Sequence, residues 1–128
     1  MLLLSKSWAA ESQLVDTISD NASSNGYVLG SPIRKLEGLD LRYCAMTMMS
    51  ESSQGTALST GNGAACLGNP LNAVVWLARV MYERGFPLKA GSLILSGALG
   101  PMVSVKAGET YIAHIDGLGD VTAVFANA

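Results

Sequence analysis

The strongest hydrophobic pattern in the chain predicts one long amphipathic helix near its middle. Asn69 followed by Pro70 is a typical helix start, because the Asn side chain caps free N–H groups and proline is tolerated in the first turn. Gly85 followed by Pro87 is a typical helix end. A helix over about 69–85 is therefore expected. The spacing of its apolar residues predicts one buried face, made of Leu71, Val74, Val75, Ala78 and Met81.

Shorter apolar runs on both sides of this helix predict strands. Before the helix, residues 27–29 form a short β run, and residues 41–49 and 56–60 are expected to pair as a hairpin. The strands expected after the helix are residues 93–95, residues 102–105 and a closing hairpin of residues 111–115 with 121–125.

The amino-terminal part of the chain carries weaker signals. Leu14, Val15 and Ile18 share one helical face and predict a short helix, and the small polar residues at 21–26 predict a loop after it. Residues 1–13 show no clear periodicity. Together with the elements above, these signals predict a β-rich α+β domain with one dominant helix and a short N-terminal helix.

The composition predicts that part of the apolar surface meets another chain. The sequence has 128 residues, of which 49% are hydrophobic and only 14% are charged. A chain of this length buries one core, and so few charges leave little to cover a free-standing surface. We therefore expect a single domain that forms a homo-oligomer or needs a partner.

Charge and cysteine content exclude several classes of function. Eight Lys and Arg against ten Asp and Glu give a net charge of −2. Without a basic run, the chain lacks the footprint of a nucleic-acid binder and has no attraction to a membrane surface. Residues 1–4 are too few for a signal peptide, and no run reaches the roughly 20 residues of a membrane span, so a cytoplasmic protein is expected. Cys44 and Cys66 lack zinc or redox spacing and are expected to be buried free thiols.

Candidate acid–base and metal-binding residues are few. His114 is the single histidine, and the alternation of its predicted strand places it on the solvent-facing side, which argues against catalysis. One histidine also excludes a His-rich metal site within one chain. Two carboxylate pairs could offer oxygen ligands to a hard cation, although each also fits a solvent-exposed or turn position: Asp16 with Asp20, and Asp116 with Asp120.

A loop after the predicted short helix is one candidate ligand contact. Asn21, Ser23 and Ser24 offer amide and hydroxyl groups to an anionic ligand. The same residue types are common loop formers, so both interpretations stay open.

A Gly-rich turn after the predicted 93–95 strand is the stronger candidate. Ser96, Gly97 and Ala98 can expose backbone N–H groups that bind an anion without any side chain. Ser96 is not indicated as a nucleophile, because no base accompanies it and the Gly-x-Ser-x-Gly elbow is absent.

Three ordered blocks carry a family resemblance: residues 14–30, residues 66–78 with Leu-Gly-Asn-Pro-Leu-Asn-Ala, and residues 89–125 with Leu-Ser-Gly-Ala-Leu-Gly-Pro. They resemble the 2-keto-4-pentenoate hydratase and 4-oxalocrotonate decarboxylase group of the fumarylacetoacetate hydrolase superfamily. The Ala-Leu-Gly-Pro-Met-Val run at 98–103 is more similar to the hydratases. Residues 14–128 are interpreted as the family's carboxy-terminal domain and residues 1–13 as a divergent segment.

The resemblance implies a fold, a reaction and a set of contacts. The implied fold is a β-rich mixed sheet or roll. The implied reaction is a hydration of 2-hydroxypenta-2,4-dienoate to 4-hydroxy-2-oxopentanoate in aromatic meta-cleavage catabolism, with Mg²⁺ or Mn²⁺ chelating the 2-keto acid end. The substrate-binding residues that it implies in this chain are Asn21, Ser23, Ser24, Ser96, Gly97, Ala98 and Leu99.

The resemblance also implies that the metal site is incomplete in this chain. In the family, three carboxylates before the helix corresponding to residues 14–20 hold the metal, two of them in a Glu-x-Glu strand. This sequence contains no Glu-x-Glu pair, so we expect no metal to bind the chain alone and name no catalytic residue. The leading interpretation is a truncated hydratase-family domain. The alternatives are half of a split enzyme, completed by a separate amino-terminal half, and a non-catalytic module that docks on hydratase or decarboxylase subunits.

Overall fold

The computed structural model describes residues 2–5, 24–30 and 35–127, which form two antiparallel sheets and one long helix. The smaller sheet pairs β1 (Leu2–Ser5) with β2 (Ser24–Val28). The strand at β1 was not predicted, and β2 begins inside the segment that was expected to be a loop. The predicted helix over residues 14–20 lies outside the described residues.

The larger sheet has four strands in the order β4–β3–β5–β6. Its strands are β3 (Ala45–Ser50), β4 (Ser59–Asn62), β5 (Thr110–Ile115) and β6 (Gly119–Val124). Both predicted hairpins are confirmed, because β3 pairs with β4 and β5 pairs with β6. All pairings between the described strands are antiparallel, whereas the resemblance implied a mixed sheet.

One face of the four-stranded sheet, called the inner face below, carries the core. Tyr111 and Ala113 of β5 lie opposite Ala123 and Val121 of β6, and all four are buried. The ring of Tyr111 packs edge-on against Phe125 at 5.6 Å, and its hydroxyl accepts the N–H of Lys106 at 3.0 Å. The buried residues are every second residue of β5 and β6, so they all lie on the inner face, as the two-residue period of a strand requires.

The core is built from small side chains and two thiols. Besides the four strand residues, Cys44 and Cys66 are the buried hydrophobic residues of the described chain. Both are free, which confirms the prediction for the two cysteines. Burial raises the pKa of the Cys44 thiol, and the negative charges of Asp116 and Asp40 raise it further. The neutral thiol is the form expected of a packing residue rather than a nucleophile.

The dominant helix is confirmed as α1 (Pro70–Glu83), with the predicted caps at both ends. The Asn69 side chain accepts the N–H of Leu71 at 2.9 Å, and Gly85 adopts a φ of +79°. The predicted buried face is covered only in part: Val74, Ala78 and Met81 are half-buried, while Leu71 and Val75 are 42% and 50% exposed. Pro70 is the buried residue of α1. An amphipathic pattern identifies the side that needs a partner, but α1 packs extensively on none of the described strands.

Two predicted strands are also absent from the described structure. Residues 93–95 and 102–105 adopt no regular secondary structure, and Leu93 and Leu95 are exposed rather than buried. No backbone N–H between residues 93 and 105 donates a hydrogen bond to another described residue. Apolar character can predict a strand, but a strand forms only where a neighbour completes the ladder. Among the described residues, no helix is long and apolar enough to cross a membrane.

Candidate functional site

The candidate turn, residues 96–101, lies on the inner face of the four-stranded sheet at its β4 edge. The hydroxyl of Ser59, a buried residue of β4, donates to the carbonyl of Pro101 at 2.8 Å. A Cβ on Gly100 would lie 2.6 Å from Met46 Cε and 2.7 Å from the carbonyl oxygen of Thr60. The turn is therefore packed directly on β3 and β4.

Gly61 is the residue that permits this packing. A Cβ at Gly61 would collide with the carbonyl of Leu99, so any other residue would push the turn away from β4. Sequence reasoning missed this role, because the predicted strand ended at residue 60, before Gly61. The available signal was the glycine itself, since glycine within a strand often marks a close approach of another backbone.

Cys66 holds the other end of the turn. Its thiol donates to the carbonyl of Ser96. Gly97 has a φ of +129°, and a Cβ there would lie 2.8 Å from the Cys66 sulfur. Glycine at 97 is therefore required by the turn itself and not only by a ligand that approaches the backbone.

The turn uses its carbonyls for packing and leaves its N–H groups available. Ser96 and Pro101 accept hydrogen bonds through their carbonyls. Within the described ranges, none of the backbone N–H groups of residues 96–100 has a hydrogen-bond acceptor. Ala98 is exposed, so no bulky side chain of its own covers these donors. Consecutive free N–H groups of this kind can bind an anion.

The second predicted contact segment is described only in part. Asn21 and Ser23 lie outside the described residues, and Ser24 opens β2 opposite Ser5. Farther along, Gly30 meets the Asp120 carbonyl of β6, at the edge of the sheet opposite β4. Three strand spacings separate these edges, about 14 Å. This places Gly30, and not Ser24, relative to the turn, so the convergence of Ser24 and the turn on one ligand stays a prediction.

His114 joins the two carboxylates that flank the β5–β6 turn. Its Nδ1 lies 2.5 Å from Asp120 Oδ1, and its Nε2 lies 3.4 Å from Asp116 Oδ1. The three side chains are more than half exposed, which confirms the solvent-facing position predicted for His114. The hydrogen bond that the His114 ring donates to the Asp120 carboxylate raises the pKa of His114, and the charges of both aspartates add to this effect.

Neither a metal centre nor a deep pocket is formed by the described part of the chain. No three His, Cys, Asp or Glu side chains gather there in a way that could hold a metal ion, and Asp16 and Asp20 lie outside it. A shallow cleft of about 170 Å³ lies between residues 29–30 and the β5–β6 hairpin. Pockets that enclose drug-sized ligands start at roughly 300 Å³, so this cleft is smaller than a typical ligand pocket.

The sequence and the fold both match a known protein family. The profile of the fumarylacetoacetate (FAA) hydrolase C-terminal family matches residues 4–126, and the chain belongs to this family. Two structures of 4-oxalocrotonate decarboxylase from Pseudomonas putida G7 share its architecture at 36% identity. The complex with calcium and acetate has a TM-score of 0.78 over 87% of this chain and 42% of that chain. The complex with magnesium and adipate has a TM-score of 0.76 over 87% and 41%.

Relatives with higher sequence identity to this chain are named as hydratases. The 2-keto-4-pentenoate hydratase of Burkholderia vietnamiensis is 60% identical over 110 residues, which cover 86% of this chain and 41% of the relative. The protein of the same name from Paraburkholderia phymatum is 58% identical over 111 residues, or 87% and 41%. These matches confirm the predicted hydratase resemblance. The chain spans about two fifths of the length of these relatives.

We expect Gly61→Ala to displace the turn and to destabilise the chain. The added methyl group collides with the Leu99 carbonyl, and overpacking of this kind costs about 1–3 kcal/mol. Thr60→Ala, on the exposed neighbour in β4, is the matched control. Urea unfolding and the amide NMR shifts of residues 96–101 measure both variants. Unchanged shifts in Gly61→Ala would show that the close approach does not position the turn.

We expect the pKa of His114 to lie above its ordinary value of 6.5 and Asp120→Asn to lower it. Because the folded-state pKa is raised, protonated His114 stabilises the hairpin below pH 6.5. This contribution is lost as pH rises through the raised pKa. Asp116→Asn should have a smaller effect, since its oxygen is farther from the ring. An NMR titration of the His114 ring checks this, and an Asp120→Asn variant with the wild-type pKa would contradict it.

Proposed function

We propose that this chain is the substrate-holding, carboxy-terminal part of a 2-keto-4-pentenoate hydratase that acts on 2-hydroxypenta-2,4-dienoate. The observation that carries the proposal is sequence identity. Proteins named 2-keto-4-pentenoate hydratase are 52% to 60% identical to this chain, against 36% for the 4-oxalocrotonate decarboxylase. A non-catalytic docking module is less favoured, because no described residue accepts from the N–H groups of the turn, which suits a ligand contact.

The proposed role of the turn is to hold the acid end of the substrate. Hydration places a hydroxyl on C4 and a proton on C5 of the vinyl group, and the 2-enol becomes the 2-oxo group as its proton is lost and C3 gains one, which gives 4-hydroxy-2-oxopentanoate. The carboxylate and the 2-oxygen take no part in the new C–O bond. The N–H groups of Ser96, Gly97, Ala98 and Leu99 would donate to these oxygens, and hydrogen bonds to a charged acceptor are stronger than neutral ones. Asn21, Ser23 and Ser24 would complete the contacts.

The metal ion that supports this reaction would have its ligands outside the described residues. A divalent cation at the keto acid end supplies Lewis-acid chemistry when it is bound. The solved decarboxylase is complexed with calcium and acetate or with magnesium and adipate, so a divalent metal and a carboxylic acid occur together in that protein. The described part of this chain gathers no comparable set of ligands. The resemblance implies metal ligands ahead of the segment that corresponds to residues 14–20, so we assign the ligands to the part of the hydratases that this chain does not match.

Titration of the purified chain with oxalate, an unreactive small diacid, tests the proposed contacts. We expect amide NMR shifts at residues 96–99 and 21–24. Ser24→Ala should weaken binding by about 0.5–1.5 kcal/mol, or about 2- to 13-fold in Kd, the usual loss of one hydrogen bond. Ser104→Ala, an exposed serine beyond the turn, is the control. Shifts confined to residues 116–120 would place the ligand elsewhere and refute the assignment.

Turnover by the isolated chain is a separate prediction. We expect no loss of 2-hydroxypenta-2,4-dienoate absorbance with Mg²⁺ or Mn²⁺, because the chain has no Glu-x-Glu pair to supply the carboxylate ligands that the resemblance implies. The Burkholderia vietnamiensis hydratase, assayed in parallel, is the positive control. Robust metal-dependent turnover by this chain would show that its own residues hold the metal and would overturn the assignment of the ligands to another segment.

A further inference from the structure

Two short segments on either side of the turn have the features of strands without partners. They are residues 93–95 and residues 102–105, called the flanking segments below. Among the described residues, neither their N–H groups nor their carbonyls take part in any hydrogen bond. Backbone polar groups are almost always paired in a native protein, so this many unpaired groups in sequence need a partner.

The side chains of the flanking segments also lack cover. Leu93 and Leu95 are 48% and 43% exposed, and Met102 and Val105 are 87% and 50% exposed. No charged residue occurs anywhere from 92 to 105. Strands that end a sheet in water are normally protected by charges, which these segments lack. Their composition is that of interior strands.

The lengths of the related proteins indicate what kind of chain would cover the flanking segments. The hydratases that are 58% to 60% identical to this chain are more than twice as long as the matched region. The backbone of this chain superposes with a TM-score of 0.78 on residues that belong to a longer polypeptide. The solved decarboxylase and the hydratases thus both contain further chain that could cover such segments.

We propose that the flanking segments are docking strands for the part of a 2-keto-4-pentenoate hydratase that this chain does not match. That part would add one or more strands beside residues 93–95 and 102–105, pairing their N–H and carbonyl groups and covering their apolar side chains. The turn between them would keep its N–H groups for the ligand. This proposal rests on the proposed function, because it takes its partner from the hydratases.

A fusion protein tests the docking strands. The unmatched part of the Burkholderia vietnamiensis hydratase is joined ahead of this full chain, and hydrogen exchange of residues 93–105 is compared in the fusion and in the chain alone. We expect exchange close to that of an unstructured peptide in the chain alone. In the fusion, exchange of the flanking segments should slow at least about 100-fold, as for amides in a stable ladder.

Proline variants locate the ladder. Ile94→Pro and Leu95→Pro each remove an N–H that is unpaired in the described chain, so neither should change the Tm of the chain alone. Successive N–H groups of a strand point to opposite sides, so at least one variant should abolish the protection of residues 93–95 in the fusion. Ala57→Pro, at an exposed position whose N–H is also unpaired among the described residues, is the control.

The outcomes separate the docking proposal from the proposed function. Flanking segments that are unprotected in the fusion, or already protected in the chain alone, would overturn the docking. Protection that grows with the concentration of the chain alone would identify a second copy as the occupant and overturn it as well. A fusion that is protected but does not hydrate 2-hydroxypenta-2,4-dienoate would support the docking and refute the function. A fusion that turns over 2-hydroxypenta-2,4-dienoate while the flanking segments stay unprotected would support the function and refute the docking.

Discussion

The carbonyl of Leu99 lies against Gly61, and only glycine lets two backbones come this close. This contact decides where the candidate ligand site lies. With the turn seated on β4, the Ser59 hydroxyl reaches Pro101 and the Cys66 thiol reaches Ser96. Both contacts use carbonyls, so the N–H groups of the turn remain for a ligand. The site therefore takes its rigidity from the sheet rather than from any side chain that would touch substrate.

Within residues 2–5, 24–30 and 35–127, much apolar and polar surface has no partner among the other residues of these ranges. The core consists of small side chains, two thiols and one tyrosine. Helix α1 exposes Leu71 and Val75, and the segments beside the turn expose both their apolar side chains and their backbone polar groups. Apolar burial and backbone pairing are two favourable terms of folding, and their lack among these described residues is the ground for the proposed docking strands. The length of the hydratase relatives agrees with this interpretation.

One cluster of titratable side chains lies apart from the candidate ligand site. His114, Asp116 and Asp120 form a small network at the exposed turn between β5 and β6, away from the turn on β4. Their contacts are local, and their effect on stability should vary with pH rather than with any ligand. These carboxylates are thus separated from the backbone N–H groups of the turn. This agrees with the proposed division, in which this chain would hold the acid end of the substrate and another segment would hold the metal.

The sequence by itself determined the local elements and the family. Caps and spacing located α1, alternation located both hairpins, and three blocks carried the hydratase resemblance, because these signals act between residues close in the chain. It also identified the Gly-rich turn. Only the tertiary structure decided what each apolar face meets: Val75 and Leu95 were expected to be buried and are exposed. It alone revealed the role of Gly61, because the approach of Leu99 depends on residues far apart in sequence. Burial and strand pairing depend on which element packs alongside. A hydrophobic pattern indicates that such an element is needed but does not identify it.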